Sequence, residues 1–213
     1  MAGITALLRA IYSGDGNETE RRILTDRPGN LLMAGGMPPY VEMTRRGIGW
    51  QAMNTTALAA LVVRPSTLAN FTLFNNEPEG GLCYVIDRAF AFNLVSTTAQ
   101  ARHGLWLCQH PRGLASPTND ITARGSYACK ANYGGRAVCD TNMVVTADDW
   151  APWSEWGDVE PTGVLPGGIL SVKLEGRLII PPQCGVSTQV VSSVVGNTYT
   201  TGFGWYETRL DML

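Results

Sequence analysis

The longest regular pattern in the chain runs through "EGGLCYVIDRAFAFNLV", residues 79–95. Its even positions read Leu82, Tyr84, Ile86, Arg88, Phe90, Phe92 and Leu94; its odd positions read Cys83, Val85, Asp87, Ala89, Ala91 and Asn93. Alternation with period two marks a strand with one buried face. The even face is therefore expected in a core and the odd face outside it. "GGILSVKLEGRLIIPP" repeats the pattern, with Leu170, Val172, Leu174, Leu178 and Ile180 on one face and Ser171, Lys173, Glu175 and Arg177 opposite. A closing strand sets Tyr199, Phe203 and Trp205 against Thr198, Thr200, Gly202 and Gly204.

These three fall in a series of candidate strands: Ala57–Arg64, Leu68–Asn75, Leu82–Thr97, Gly104–His110, Tyr127–Ala131, Arg136–Val145, Gly168–Ile180, Gly185–Val195 and Thr198–Glu207. Turn-forming clusters at "NNEPEGG", "NYGG", "LPGG", "IPPQCG" and "VVGN" punctuate them. So many short strands, with no convincing helix between them, predict two packed antiparallel sheets. A jelly roll is the most economical arrangement, and periodicity leaves the strand order open.

Residues 1–46 do not share the pattern. A short helix fits near Ile4–Ile11, but "GDGN", "RPGN" and "AGGMPP" then break any regular period. Leu31, Leu32, Met33 and Met37 are too apolar for full exposure, which favours a docked arm over a loose terminus. The expected organisation is all-β: an extended N-terminal arm over 1–46, then a single jelly-roll-like β-sandwich over 47–213. Arg21, Arg22, Leu31, Leu32 and Met33 are the arm's candidate docking residues.

Composition narrows the partners. The chain has 213 residues, enough for one substantial core. Its charged fraction of 16% is low for a soluble domain, as suits a surface partly covered in an assembly. With a net charge of −2 and only Lys130 and Lys173 as lysines, no basic stripe supports direct nucleic-acid binding. No apolar run reaches the ~20 residues of a membrane span. The opening apolar stretch lacks a basic region ahead of it, which argues against a secretory signal. The five cysteines form no CxxC pair. Cys129 and Cys139 could meet across a hairpin, but buried thiols made in a reducing cytoplasm are the favoured reading.

Candidate chemistry is sparse. No GxSxG, HExxH, Walker A or GxGxxG motif is present, so no cofactor, metal or catalytic residue is assigned. His103 and His110 are seven residues apart, which puts them on opposite faces of one strand. Asp87 and Arg88 are likewise no catalytic pair; Arg88 needs a partner or an exit to solvent, with Asp120 or Glu207 as candidate carboxylates. The densest constellation is "TADDWAPWSEWGDVEP", where Trp150, Trp153 and Trp156 accompany five acids. Three readings are open: a loop anchored by its indoles, a surface facing a protein partner or a glycan, or paired carboxylates for glycoside hydrolysis. Anchoring is favoured.

"ANFTLFNNEPEGGLCYVIDRAFAFNLVSTTAQA", "KANYGGRAVCDTNMVV" and "IIPPQCGVSTQVVSSVVGNTYTTGFGWYE" together resemble structural proteins of tailed bacteriophages. Gly81, Ile86, Asp87, Gly134, Gly135, Arg136, Pro181, Pro182, Gly204, Trp205 and Glu207 fall on that pattern; Cys184 stands where glycine is more usual. The resemblance spans about residues 48–208 and its motifs mark turns and strand ends. It implies structural roles for Asp87, Arg136, Trp205 and Glu207; the residue reading gives Arg88 one too. It also implies a non-enzymatic capsid cement or decoration protein, made in the host cytoplasm and placed on the capsid surface. The expected partners are its own copies, as a trimer, and the major capsid protein. The alternative is a tail-associated adhesin that recognises host surface glycan through the tryptophans.

Overall fold

The computed structural model describes residues 41–96, 101–111, 118, 121–128, 134–141, 143–144, 149–154, 157–159 and 168–209. The arm residues Arg21, Arg22, Leu31, Leu32 and Met33 lie outside these, as do Asp120, Cys129 and Trp156. The chain divides into two compact units, Met1–Pro39 and Tyr40–Leu213, and the second is the subject below.

One short helix, α1 (Val41–Arg45), leads into it. Gly47, at φ 70°, supplies the left-handed residue that ends this turn. The other described elements are strands: β1 (Gly49–Met53), β2 (Leu58–Ala59), β3 (Phe71–Asn75), β4 (Cys83–Val95), β5 (Ala101–His110), β6 (Arg124–Gly125), β7 (Ala137–Thr141), β8 (Ala151–Pro152), β9 (Gly157–Val159), β10 (Ile169–Ile180), β11 (Gly185–Ser192) and β12 (Thr198–Thr208). They form two antiparallel sheets. The first runs β10-β4-β12-β1-β6, with β2 also on β12; the second runs β7-β3-β11-β5-β8, with β9 also on β5. The protein is all-β, and its two sheets pack as a sandwich.

The core lies between the sheets. Phe71 from the second meets Phe203 from the first at 5.8 Å between ring centroids, and Tyr84 packs on Trp205 at 6.2 Å. A buried hydroxyl pair, Thr188 Oγ1 and Thr201 Oγ1 at 2.8 Å, joins the layers. Asn75 ties two turns together, donating from Nδ2 to the carbonyls of Leu82 (2.8 Å) and Ile180 (3.0 Å).

The faces expected for β10 and β12 hold. Leu174, Leu178 and Ile180 are buried and Leu170 and Val172 pack on the core, while Ser171, Lys173, Glu175 and Arg177 are exposed. Tyr199, Phe203 and Trp205 enter the core. Elsewhere the strand reading needs correction. Tyr127 is not in a strand, and β1, which sequence reading missed, is: its Trp50 and Ala52 are buried and Gln51 and Met53 exposed.

β4 departs most from expectation. Against β12, Ile86 faces Trp205 and Arg88 faces Gly204, so Asp87 has no opposite residue. Against β10, Ile86 faces Leu178 and Arg88 faces Lys173, which loops out residues 174–177. Glu175 (φ 47°) and Gly176 (φ 81°) take left-handed conformations there. This is a β-bulge, and one extra residue swaps the faces of everything after it. Tyr84 and Ile86 point into the core, but beyond the bulge Ala89, Ala91 and Asn93 take their place, all at most 1% exposed. Arg88, Phe90, Phe92 and Leu94 turn to the outer face. The even stripe is thus two stripes, one on each side of the sheet.

Candidate functional site

The bulge builds the main surface feature of the first sheet. Across the outer face, paired residues form three rows. Lys173, Arg88, Gly204, Gln51 and Arg124 lie in the first, on β10, β4, β12, β1 and β6 in turn. Ser171, Phe90, Gly202 and Met53 form the second, and Ile169, Phe92 and Thr200 the third. Side chains of β1, β4, β6 and β10 bound an open groove of about 650 Å³, with Thr55, Ile121 and Thr122 completing its wall.

Gly202 is required by close approach, whereas a Cβ on Gly204 would make only ordinary van der Waals contact. A Cβ on Gly202 would meet the Ala52 carbonyl oxygen at 2.1 Å, and one on Gly204 the Arg88 Cγ at 3.4 Å. Phe90 and Phe92 meet edge to face at 5.5 Å between centroids. The Arg88 guanidinium carbon stands 5.5 Å from the Phe90 centroid, a cation–π arrangement. Arg88 therefore shares its face with Phe90 and Phe92 but not, as expected from strict alternation, with Tyr84 and Ile86. It is exposed, its exit being to solvent.

A second surface lies at one end of the sandwich. Val95 closes β4 opposite Thr198, the β11–β12 turn carries Val195, and Leu61 bridges to Val191 just before Val62 and Val63. Val62 (49%), Val63 (65%), Leu94 (43%), Val95 (55%) and Val195 (72%) are all exposed, an aliphatic rim.

The second sheet instead buries its outer face. His110 Nε2 and Ser187 Oγ are 2.6 Å apart, and the same oxygen is 2.6 Å from Thr72 Oγ1. His110 is 4% exposed and Ser187 wholly buried, so this hydroxyl–imidazole line is closed to substrate. Burial pushes the His110 pKa down to about 4, which keeps the ring neutral. Gly185 lets this end close, since a Cβ there would lie 3.2 Å from Phe74 and 3.4 Å from His110. His103 points the other way, as its odd separation predicted, and stacks on Tyr199 at 5.4 Å. Burial raises the Tyr199 pKa, and the nearby Ser192, Asn197 and Asn93 side chains oppose that rise.

The tryptophan segment clamps the edge of that sheet. Trp150 is 3% exposed and packs with Ala69 and Cys108, while Nε1 donates to the Ser66 carbonyl at 3.3 Å. Trp153 turns inward against the main core, and its N–H donates to the Leu105 carbonyl at 3.0 Å. Three residues apart on extended chain, the two indoles reach opposite sides of β5. The Trp150 ring is thus buried within the subunit, against the second sheet.

Of the residues expected to be structural, Trp205 is in the core and its Nε1 donates to Glu207 Oε1 at 3.4 Å. Glu207 is thereby engaged beside Trp205. Asp87 is the bulge residue, half-buried, and Arg136 is exposed just ahead of β7. Among the described residues no group of three or more His, Cys, Asp and Glu is placed to hold a metal, and no helix is long and apolar enough to cross a membrane. The groove was missed from sequence because its residues come from four strands and the loops beside them; the signal within reach was Asp87–Arg88 interrupting an apolar stripe.

Fold and surface define a class: a two-sheet antiparallel sandwich with one open and one covered outer face. No family model, curated protein or solved structure matches the chain.

Proposed function

We propose that this chain is a non-enzymatic structural component of a bacteriophage virion, a jelly-roll sandwich that assembles with its own copies, as a trimer, and stabilises the capsid from outside. The strand order supports the jelly-roll part. β1-β12-β4-β10 facing β3-β11-β5-β8 is the order that two interleaved Greek keys produce, with β6 and β7 added at edges. The observation that carries the functional part is the aliphatic rim at one end of the sandwich. Five exposed apolar side chains gathered there are a surface that an assembly covers. Repeated by symmetry, such contacts add up across a lattice. The burial of Cys83, Cys108 and Cys139 suits synthesis in a reducing host cytoplasm.

Two measurements test the reading. Light scattering on the purified chain should give a closed oligomer, and Val95→Asp with Val195→Asp should leave a folded monomer. Copy number in purified virions should scale with the capsid lattice; a handful of copies per particle would favour the tail-associated, glycan-recognising reading. Trp150 gives that second reading no help, because its ring is inside the subunit.

A further inference from the structure

We infer that the groove on the outer face of the first sheet is a binding site for a small amphiphilic carboxylate, an apolar chain of about ten carbons ending in one anionic group. Three features specify that chemistry. Charge is segregated along the groove: Arg88 and Arg124 stand in its first row, and among the described residues no carboxylate lines it. Apolar surface follows in the next two rows, with Phe90 and Met53 and then Phe92. Two residue steps on a strand are about 7 Å and four about 14 Å, the length of such a chain.

The floor explains why a small amphiphile fits better than a peptide. β4 and β12 each have neighbours on both sides, so their backbone groups are already paired, and β6 covers β1 at Trp50 and Gln51. A peptide laid on them would bring amide groups without main-chain partners, and strand addition needs a free edge. An amphiphile brings one anion, which two guanidinium groups can receive, and methylenes that need only the apolar lining of Phe90, Phe92, Met53 and Ile169. The volume of about 650 Å³ lies within the range of small-molecule sites.

The site is independent of any role in a virion, and the test uses decanoate on the full chain. Calorimetry should show saturable binding of one decanoate per chain, with the uncharged decanamide at least about 10-fold weaker. Hexanoate should also bind more weakly, by severalfold for each buried methylene lost. Arg88→Gln with Arg124→Gln should reduce decanoate affinity at least about 10-fold and leave decanamide unchanged. Both arginines are exposed, so the double variant should melt where the native chain does. Should it melt lower, salt decides: decanoate affinity of the native chain must fall as ionic strength rises. Absence of saturable binding, equal affinity for acid and amide, or indifference to both arginines and salt overturns the assignment.

Discussion

The sandwich turns two unlike outer faces away from one core. On the second sheet, β3 and β11 are buried along their whole lengths, although Thr72, Ser187, Thr188 and Gln189 are polar. On the first sheet, large apolar groups such as Ile169 (66% exposed) and Met53 (44%) face outward. Polarity therefore does not report exposure in this molecule. The difference is cover. Residues distant in sequence close over the second sheet: Gln189 Nε2 donates to the Leu68 carbonyl at 3.1 Å and Trp150 docks beside Cys108. Buried polar groups there have to find partners inside: His110 Nε2, Ser187 Oγ and Thr72 Oγ1 do so through side chains alone, while His110 Nδ1 has no partner among the described residues. Over the first sheet, the groove lined from β1, β4, β6 and β10 stays open.

The sharpest way to break this contrast is to remove the cover. Trp150→Ala should destabilise by about 3–5 kcal/mol in urea denaturation, as loss of a buried indole does. A cost under about 1 kcal/mol would mean the segment merely rests on the sheet.

Acid should attack the covered face selectively. In the unfolded chain His110 takes a proton near its ordinary value of 6.5, whereas in the fold burial delays protonation to about pH 4. Between these values the unfolded chain binds more protons, so stability is intact above about pH 6.5 and falls as pH drops towards 4. The His110 share of that loss is roughly 3 kcal/mol. Urea midpoints from pH 7 to 4 should converge between the native chain and His110→Gln at the acid end; parallel curves would show the imidazole to be solvated.

A smaller effect tests the bulge. Asn93 is 1% exposed and its Nδ2 donates to the carbonyls of Val95 (3.1 Å) and Thr198 (3.2 Å). Asn93→Ala should cost about 1–3 kcal/mol, and Phe92→Ala, on the open face, about 1 kcal/mol or less. The reverse order would restore unbroken alternation along β4.

The smallest changes belong on the open face away from the groove's aromatic floor. Lys173→Ala and Ile169→Ala should each stay within about 0.5 kcal/mol in the same assay, and a larger loss at Ile169 would indicate that this face is covered in solution.

Sequence by itself determined the strand-rich class, the burial faces of β10 and β12, the turns at "NNEPEGG", "IPPQCG" and "VVGN", and the opposite placement of His103 and His110. Those features are local: a period of two and a turn residue are written in consecutive positions. Tertiary structure decided the rest. The face of Phe90 and Phe92 depends on Asp87 being skipped in the pairing with β12, and a skipped residue is a property of two strands together. The groove brings Arg88 and Phe90 on β4 to one face with Met53 on β1 and Arg124 on β6, a register that no single segment contains. Trp150, Trp153 and the buried hydroxyls were visible as residue types, but their burial depends on which distant segment lies over them. That is a matter of packing, where a covered polar group left unpaired carries a desolvation cost.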